Sequence, residues 1–192
     1  MELTSQEKQR VVNALSYRKP KVSASKAAFK ARLYKEEGKG KPNRDGFSYL
    51  DTKNHLTVGV GHKFEKGDRA VFQKLFGKSV DYDAVRRGKV PLNDQQMEKL
   101  LNYDVDRKVA TSKRLFPKFD KYNPELQGAI LDGVYRGDLS GSPKTRRLMN
   151  EGKWEAAAKE YLNHEGYRES KKKKSGIYKR MNRNAAIIKK GN

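Results

Sequence analysis

The chain has 192 residues, 35% of them hydrophobic and 35% charged, so it is long enough for a sizeable core and not polar enough to be disordered by default. It carries 44 Lys and Arg against 23 Asp and Glu, and the resulting charge of +21 favours polyanionic partners: nucleic acid, anionic membrane or anionic cell wall. The absence of cysteine excludes disulfides, thiolate nucleophiles and thiolate metal sites. We expect one folded unit, in one domain or in two lobes of one domain.

The N-terminal residues 1–24 are predicted to form a helical arm. Residues 1–15 are polar and charged, without the apolar run that a secretory signal or a membrane anchor needs. We therefore expect synthesis in a cytosol and no transmembrane segment. A protein of this kind that acts on cell wall must be carried there by something else.

A second helix is predicted from about Ser25 to Gly38, because glycine is favoured just past a helix end. Phe29 and Leu33 align on one face of this helix. Glu37 continues that stripe, so its carboxyl group is directed at apolar surroundings, where desolvation favours the protonated form that a general acid needs. The alternative is a solvated glutamate at a frayed helix end.

Two short strands are predicted next, at residues 46–50 and 56–60, with a hairpin turn between them. Asp51 ends the first strand and Thr57 lies on the second. Each residue taken alone fits an ordinary hairpin with polar groups at its turn. Gly59 and Gly61 follow, at positions where the backbone is expected to pack closely.

The C-terminal half of the chain is predicted to be nearly all helical. Asn93 is the expected N-cap of a long helix, because apolar residues recur every four positions after it, at Met97, Leu101, Val105 and Val109. Further helices are predicted to open at the pairs Asn123-Pro124 and Ser142-Pro143, and to cover residues 153–163 and 175–189.

Three motifs together resemble the active-site signature of phage-type lysozymes, family 24 of the glycoside hydrolases. In chain order they are Glu37-Gly38, Tyr49-Leu50-Asp51 and Thr57-Val58-Gly59-Val60-Gly61-His62. The resemblance continues through residues 100–106, 129–137 and 152–157, and it covers roughly residues 27–190.

The resemblance implies a role for each site residue. Glu37 would protonate the glycosidic oxygen as general acid, while Asp51 and Thr57 would hold and activate the attacking water on the opposite face of the sugar. Glycan contacts of the family correspond to three further positions here: Lys63, Tyr135 and Thr145. Lys63 departs from the family pattern, since the family has an apolar residue at this position.

The spacing of the two carboxylates departs from the family pattern. Glu37 and Asp51 are fourteen residues apart, several more than is usual, because residues 39–45 look like an insertion. Either a basic loop has been added beside the cleft, or Glu36 is the acid. We prefer Glu37, since the residue before the glycine is the acid in the family.

Asp104 is expected on the buried face of the long helix, one turn after Leu100 and Leu101. A buried carboxylate needs a partner. The resemblance implies that this partner is His62, in an ion pair with a structural role. The alternative is a solvated Asp104 at the edge of the stripe.

Basic residues near the C-terminus are predicted to form a cationic face, in contact with anionic wall polymers or outer-leaflet phosphates. They include the run at residues 171–174 and Lys179, Arg180, Arg183, Lys189 and Lys190. The alternative for such a run is a merely solvated surface.

Taken together, we expect an α+β, lysozyme-like fold. The expected parts are an arm at residues 1–24, a small lobe at 25–92 with a short antiparallel sheet, a linking helix at 93–112 and a helical lobe at 113–192.

The expected function is hydrolysis of the β-1,4 bond between N-acetylmuramic acid and N-acetylglucosamine in peptidoglycan, by a monomer without cofactor or metal. The protein would act in the periplasm or wall after release through a holin-type pore, or be carried in a virion. The alternatives are a basic nucleic-acid-binding protein and a non-catalytic virion component.

Overall fold

The computed structural model describes residues 26–33, 45–51, 54–173 and 176–192. The predicted arm, Glu36, Glu37 and most of the predicted 39–45 loop lie outside these ranges. The described chain is mostly helical with one small antiparallel sheet, which agrees with the expected mixture of α and β structure.

The helical segments are α1 (26–33), α2 (Asp68–Phe76), α3 (Tyr82–Arg86), α4 (Asp94–Leu115), α5 (Pro124–Arg136), α6 (Pro143–Asn150), α7 (Trp154–Tyr161), α8 (Glu165–Lys172) and α9 (Gly176–Lys190), with 3-10 turns at Gly77–Ser79 and Phe119–Lys121. The strands are β1 (Tyr49–Leu50), β2 (Leu56–Val58) and β3 (His62–Lys63), in the order β1-β2-β3. None of the helices in the described ranges is long and apolar enough to cross a membrane.

The structure differs from the sequence expectation in several elements. The two predicted strands are shorter than expected, and β3, α2, α3 and α8 were not predicted. These elements are short, and α2, α3 and α8 bury only one or two side chains each. These helices have nine, five and eight residues, which is shorter than the window of roughly 11 to 18 residues in which a helical period can be recognised.

Helix α4 begins where its sequence predicts. The Asn93 side chain accepts a hydrogen bond from the Gln96 backbone N–H, and the Gln96 side chain accepts from the Asn93 N–H, which completes a capping box. Asn123 likewise caps α5 by accepting from the Leu126 N–H. Ser142 is the N-cap of α6 and Pro143 lies in its first turn, as predicted, but the Ser142 side chain makes no cap hydrogen bond.

Buried side chains form two hydrophobic clusters, and α4 contributes to both. The smaller cluster is built from Val58, Phe72, Val85, Leu92, Met97 and Leu100. The larger cluster lies among the later helices and receives Leu101 and Val105 from α4. One long helix therefore joins the core beneath the sheet to the core of the helical part.

Helix α1 belongs with the helical part of the molecule. Phe29 and Leu33 are fully buried in the larger cluster, so the predicted alignment of these two residues is confirmed. The sequence-based division had placed this segment in the small lobe. Salt bridges from Lys26 to Asp106 and from Lys30 to Glu98 also fasten α1 along α4.

Candidate active site

The turn between β1 and β2 places Asp51 at the end of the first strand. The backbone N–H of Asp51 donates to the His55 carbonyl at 2.9 Å, and the N–H of Asn54 donates to the Asp51 carbonyl at 2.9 Å. Asn54 has a φ of +62°, a left-handed conformation that asparagine tolerates better than most residues. The Asp51 carboxylate therefore projects from a hydrogen-bonded turn.

Strand register gathers five side chains on one side of the sheet. Tyr49 pairs with Thr57, and Thr57 pairs with Lys63. Directly opposed residues share a face, and so do residues two apart on one strand. Asp51 and His55 therefore join the other three on the polar face of the sheet, which we define as Tyr49, Asp51, His55, Thr57 and Lys63.

The Asp51 carboxylate lies between two basic side chains on this face. His55 donates its backbone N–H to Asp51 Oδ1 at 2.9 Å, and its ring Nδ1 lies 3.1 Å from Oδ2. Lys63 Nζ lies 3.4 Å from Oδ2. His55 was not singled out from the sequence. It lies two residues before Thr57, and since alternate residues of a strand share a face, this spacing could have identified it.

Thr57 is almost fully buried on the same face, with 2% exposure. The Thr57 hydroxyl donates to the His55 carbonyl at 3.0 Å, and the His55 backbone N–H donates to Asp51 Oδ1. The hydroxyl and the carboxylate are thus both fastened to His55. The structure brings together Asp51, Thr57 and Lys63, three of the six residues singled out from the sequence.

Tyr135 of α5 reaches the glycine-rich turn that follows β2. Its hydroxyl donates to the Val60 carbonyl at 2.9 Å, and its ring packs edge-on against Phe29 at 5.7 Å. Gly61 has a φ of +82°, and a Cβ at this position would lie 3.1 Å from the Tyr135 hydroxyl. The expected close approach of the backbone therefore occurs at Gly61, and Tyr135 ties the helical part to the sheet.

Thr145 occupies a different environment. It lies in the first turn of α6 with 1% exposure, and its Oγ1 is buried without a hydrogen-bond partner in the part of the chain that the structure describes. A bound glycan would reach this hydroxyl only after the covering residues move. No described contact links Thr145 to the polar face of the sheet.

His62 lies on the opposite face of the sheet, between two buried carboxylates. Its Nδ1 is 2.8 Å from Asp104 Oδ2 on α4, and its Nε2 is 3.4 Å from Asp68 Oδ2 on α2. The rings of Phe64 and Phe72 flank it. The predicted pair of His62 with Asp104 is confirmed, and Asp68 is a second carboxylate that the sequence did not reveal.

Asp132 forms another buried charge cluster, which joins α5 to α9. Its carboxylate lies 2.5 Å from Arg180 Nη2 and 3.5 Å from Arg183 Nη2, and it accepts from Asn184 at 2.6 Å. Burial alone would raise the pKa of Asp132, but Arg180, Asn184 and Arg183 lower it below its usual value. Beside this cluster, burial raises the pKa of the Tyr161 hydroxyl well above its usual value.

The remaining predicted acid, Glu37, and its alternative, Glu36, lie outside the described residues. Within the described ranges, no group of three or more His, Cys, Asp or Glu side chains is arranged to hold a metal ion. The chain matches no protein-family model and no curated protein. A functional assignment therefore depends on the site residues and on the resemblance of their motifs.

Proposed function

We propose that this protein is a peptidoglycan muramidase with a lysozyme-like fold, which hydrolyses the β-1,4 bond between N-acetylmuramic acid and N-acetylglucosamine. The observation that carries the proposal is the placement of Asp51 and Thr57 on one face of a tight hairpin, both hydrogen-bonded to His55. An inverting glycosidase needs a carboxylate that activates a water molecule, and a neighbouring hydroxyl oxygen can help to hold that water.

Hydrogen-bond direction supports a water-holding role for this pair. Because the Thr57 hydroxyl donates its proton to the His55 carbonyl, its oxygen remains an acceptor. A water that donates one hydrogen to Thr57 and the other to Asp51 would direct a lone pair at the anomeric carbon. Asp51 would take a proton from that water as the new C–O bond forms.

Glu37 completes the proposal as the general acid. It follows the buried Leu33 by four residues, and the motif Glu-Gly supports it over Glu36. Glu37 would give its proton to the leaving glycosidic oxygen while Asp51 receives one from water, so the protons balance over the reaction. Tyr135, beside the glycine turn, is the most accessible of the proposed glycan contacts in the helical part.

The two-cluster architecture also fits this function. The sheet lies on the smaller cluster, α1 and the later helices form the larger one, and α4 runs through both. Ligand sites occur preferentially where two such units meet. The hydrogen bond from Tyr135 to Val60 joins these two parts of the molecule.

The distribution of charge supports an anionic polymer as the partner. Residues 113–192 contain 20 Lys and Arg against 9 Asp and Glu, whereas residues 51–112 contain 12 against 9. Residues 1–50 contain 12 against 5, so the helical part at residues 113–192 carries the largest share of the excess, +11 of +21. We propose that this surface binds acidic wall or outer-membrane polymers, and that the protein reaches the wall through a holin-type pore or within a virion.

The test is hydrolysis of purified Gram-negative peptidoglycan, followed by mass spectrometry of borohydride-reduced products. A muramidase yields muropeptides with a reduced N-acetylmuramic acid end, and Asp51→Asn should yield none above background. A gel shift on random DNA, run at the same salt concentration, tests the nucleic-acid alternative. Folded protein that binds DNA and releases no muropeptides would refute the proposal, and binding to peptidoglycan without products would leave a non-catalytic virion component.

A further inference from the structure

Lys63 and His55, on the polar face of the sheet, contact each other as well as Asp51. The proposed hydrolysis assigns no role to these contacts. Lys63 Nζ lies 3.2 Å from His55 Nδ1 and 3.4 Å from Asp51 Oδ2. The same Nδ1 lies 3.1 Å from Oδ2 and 3.2 Å from Oδ1 of Asp51. The ammonium, the imidazole and the carboxylate therefore form a closed triangle of contacts.

This triangle cannot satisfy all of its contacts in one protonation state. A ring nitrogen that bears hydrogen donates to a carboxylate but cannot accept from an ammonium; a ring nitrogen without hydrogen does the reverse. A charged His55 must therefore donate to Asp51, and it is then repelled by Lys63. A neutral His55 can leave Nδ1 bare, accept from Lys63 and release the carboxylate from its ring.

The two states differ in what they leave available to a water molecule. A charge-assisted bond from the imidazolium would occupy Asp51 lone pairs and place a second positive charge beside the carboxylate. Opposite charges nearby stabilise the ionised form and make it a poorer proton acceptor. With neutral His55, only Lys63 of this pair acts as counter-ion, and the ring no longer donates to the Asp51 carboxylate.

Solvent can reach each member of the triangle. The side chains of His55, Lys63 and Asp51 are 50%, 45% and 21% exposed. The titratable or charged side chains that the described structure places against His55 are Asp51, at the end of β1, and Lys63, on β3. Histidine is the side chain whose charge ordinarily changes between about pH 5 and 8.

We propose that Lys63 and His55 are positioning residues for Asp51, with Lys63 as its permanent counter-ion and His55 as a titrating one that inhibits hydrolysis when charged. The inference rests on the proposed function, because it concerns the same carboxylate. It assigns Lys63 to the carboxylate rather than to the glycan. It also makes His55 a determinant of the acid side of the pH profile.

The kinetic test compares kcat and KM on soluble, uncrosslinked glycan strands from pH 4.5 to 9. In His55→Gln the acid limb of kcat should move to lower pH, with KM changed less than about twofold, because the variant carries no ring to become charged. Lys63→Met should lower kcat about tenfold or more through loss of carboxylate orientation, and Lys63→Arg should restore most of it. Matched controls are His164→Asn and Lys78→Met, at exposed positions outside the triangle.

A second readout needs no substrate. The 15N resonances of the His55 imidazole should titrate with midpoints displaced in opposite directions by Asp51→Asn and Lys63→Met, because one removes a negative and the other a positive charge beside the ring. Lys78→Met should leave the midpoint unchanged. This measurement separates failure of the triangle from failure of the proposed function.

The inference is overturned if the acid limb of His55→Gln superimposes on that of the unsubstituted protein, or if folded Lys63→Met retains full kcat. Identical imidazole titrations in all variants overturn it as well. If the protein hydrolyses no glycan at any pH while the titrations move as expected, the contacts exist and the proposed function is wrong.

Discussion

At the residue scale, the proposed chemistry depends on the distance between the acid Glu37 and the base Asp51. An inverting glycosidase separates its two carboxyl groups by about 6.5 to 9.5 Å to admit water, whereas a retaining one brings them to about 5 to 5.5 Å. The carboxylate of Asp51 and the hydroxyl of Thr57 are both fastened to His55, an arrangement suited to holding water rather than to direct attack. We therefore expect the wider separation between Glu37 and Asp51.

The first prediction is inversion at the anomeric carbon, with Glu37 as the acid. Glu37→Gln should abolish hydrolysis without loss of fold, because only the transferable proton is removed, while Glu36→Gln serves as the neighbouring control and should remain active. Thr57→Ala should be severely impaired. Proton NMR of the first-formed anomer and the rates of the three variants provide the measurement. A retained anomer would exclude the water-holding role, and an inactive Glu36→Gln beside an active Glu37→Gln would move the acid by one residue.

The second prediction concerns the buried pair of His62 and Asp104. Asp104→Asn should reduce the free energy of unfolding by about 3 kcal/mol, at the lower end of the range for a broken buried pair, because Asp68 stays close to the other ring nitrogen. Hydrolysis per folded molecule should change little, since His62 faces away from Asp51. Urea unfolding followed by circular dichroism measures the loss.

Asp106→Asn is the matched control for that prediction, because Asp106 lies on the same helix with an exposed salt bridge to Lys26. Exposed pairs contribute about 0 to 1 kcal/mol. Equal effects of the two substitutions would contradict a special role for the buried pair.

At the scale of elements, α4 determines how the two clusters are joined. The helix contributes Met97 and Leu100 to the smaller cluster and Leu101 and Val105 to the larger cluster. Its N-terminal cap lies next to the smaller cluster, so fraying there would loosen the sheet before the helical part. The cap therefore contributes to the position of the polar face of the sheet.

The third prediction compares two residues that the sequence gives as equivalent caps. Asn93→Ala should lower the free energy of unfolding by about 1 kcal/mol, because it removes the hydrogen bond from the Gln96 backbone N–H to the Asn93 side chain. Ser142→Ala should cost much less, because Ser142 makes no cap bond at the start of α6. Thermal unfolding of the two variants under identical conditions decides this, and a larger loss in Ser142→Ala would show that the cap assignments are reversed.

At the scale of the whole molecule, positive charge is in excess, and residues 113–192 carry +11 of the total of +21. Many surface acids there are already paired, as in the salt bridges from Lys153 to Glu151 and from Lys189 to Glu155. Lys171, Lys172 and Lys173 are exposed at the end of α8. Such a surface attracts anionic polymers over distances that shrink as salt is added.

The fourth prediction is a steep fall of wall hydrolysis with added salt, because screening acts over roughly 10 Å at 0.1 M. Replacing Lys171, Lys172 and Lys173 with Gln should flatten the dependence of the rate on salt concentration. The control replaces three exposed lysines of the small lobe, Lys74, Lys78 and Lys89, and thus removes equal charge. If both triple variants respond to salt alike, the C-terminal run is only a solvated surface.

The sequence by itself determined the elements whose signal is local and repeated. The four-residue apolar period after Asn93 fixed the start and buried face of α4, and Phe29 with Leu33 identified the buried side of α1. The turn chemistry located the hairpin that carries Asp51 and Thr57. These features were predictable because a helix or hairpin repeats its burial pattern within a few residues.

The tertiary structure alone decided which side chains meet. Strand register brought His55 and Lys63 to Asp51, and the packing of α2 against the sheet added Asp68 to the pair of His62 and Asp104. Burial of Thr145 was equally invisible in its sequence context. Contacts of this kind join residues far apart in the chain and depend on register and packing, which no local period encodes.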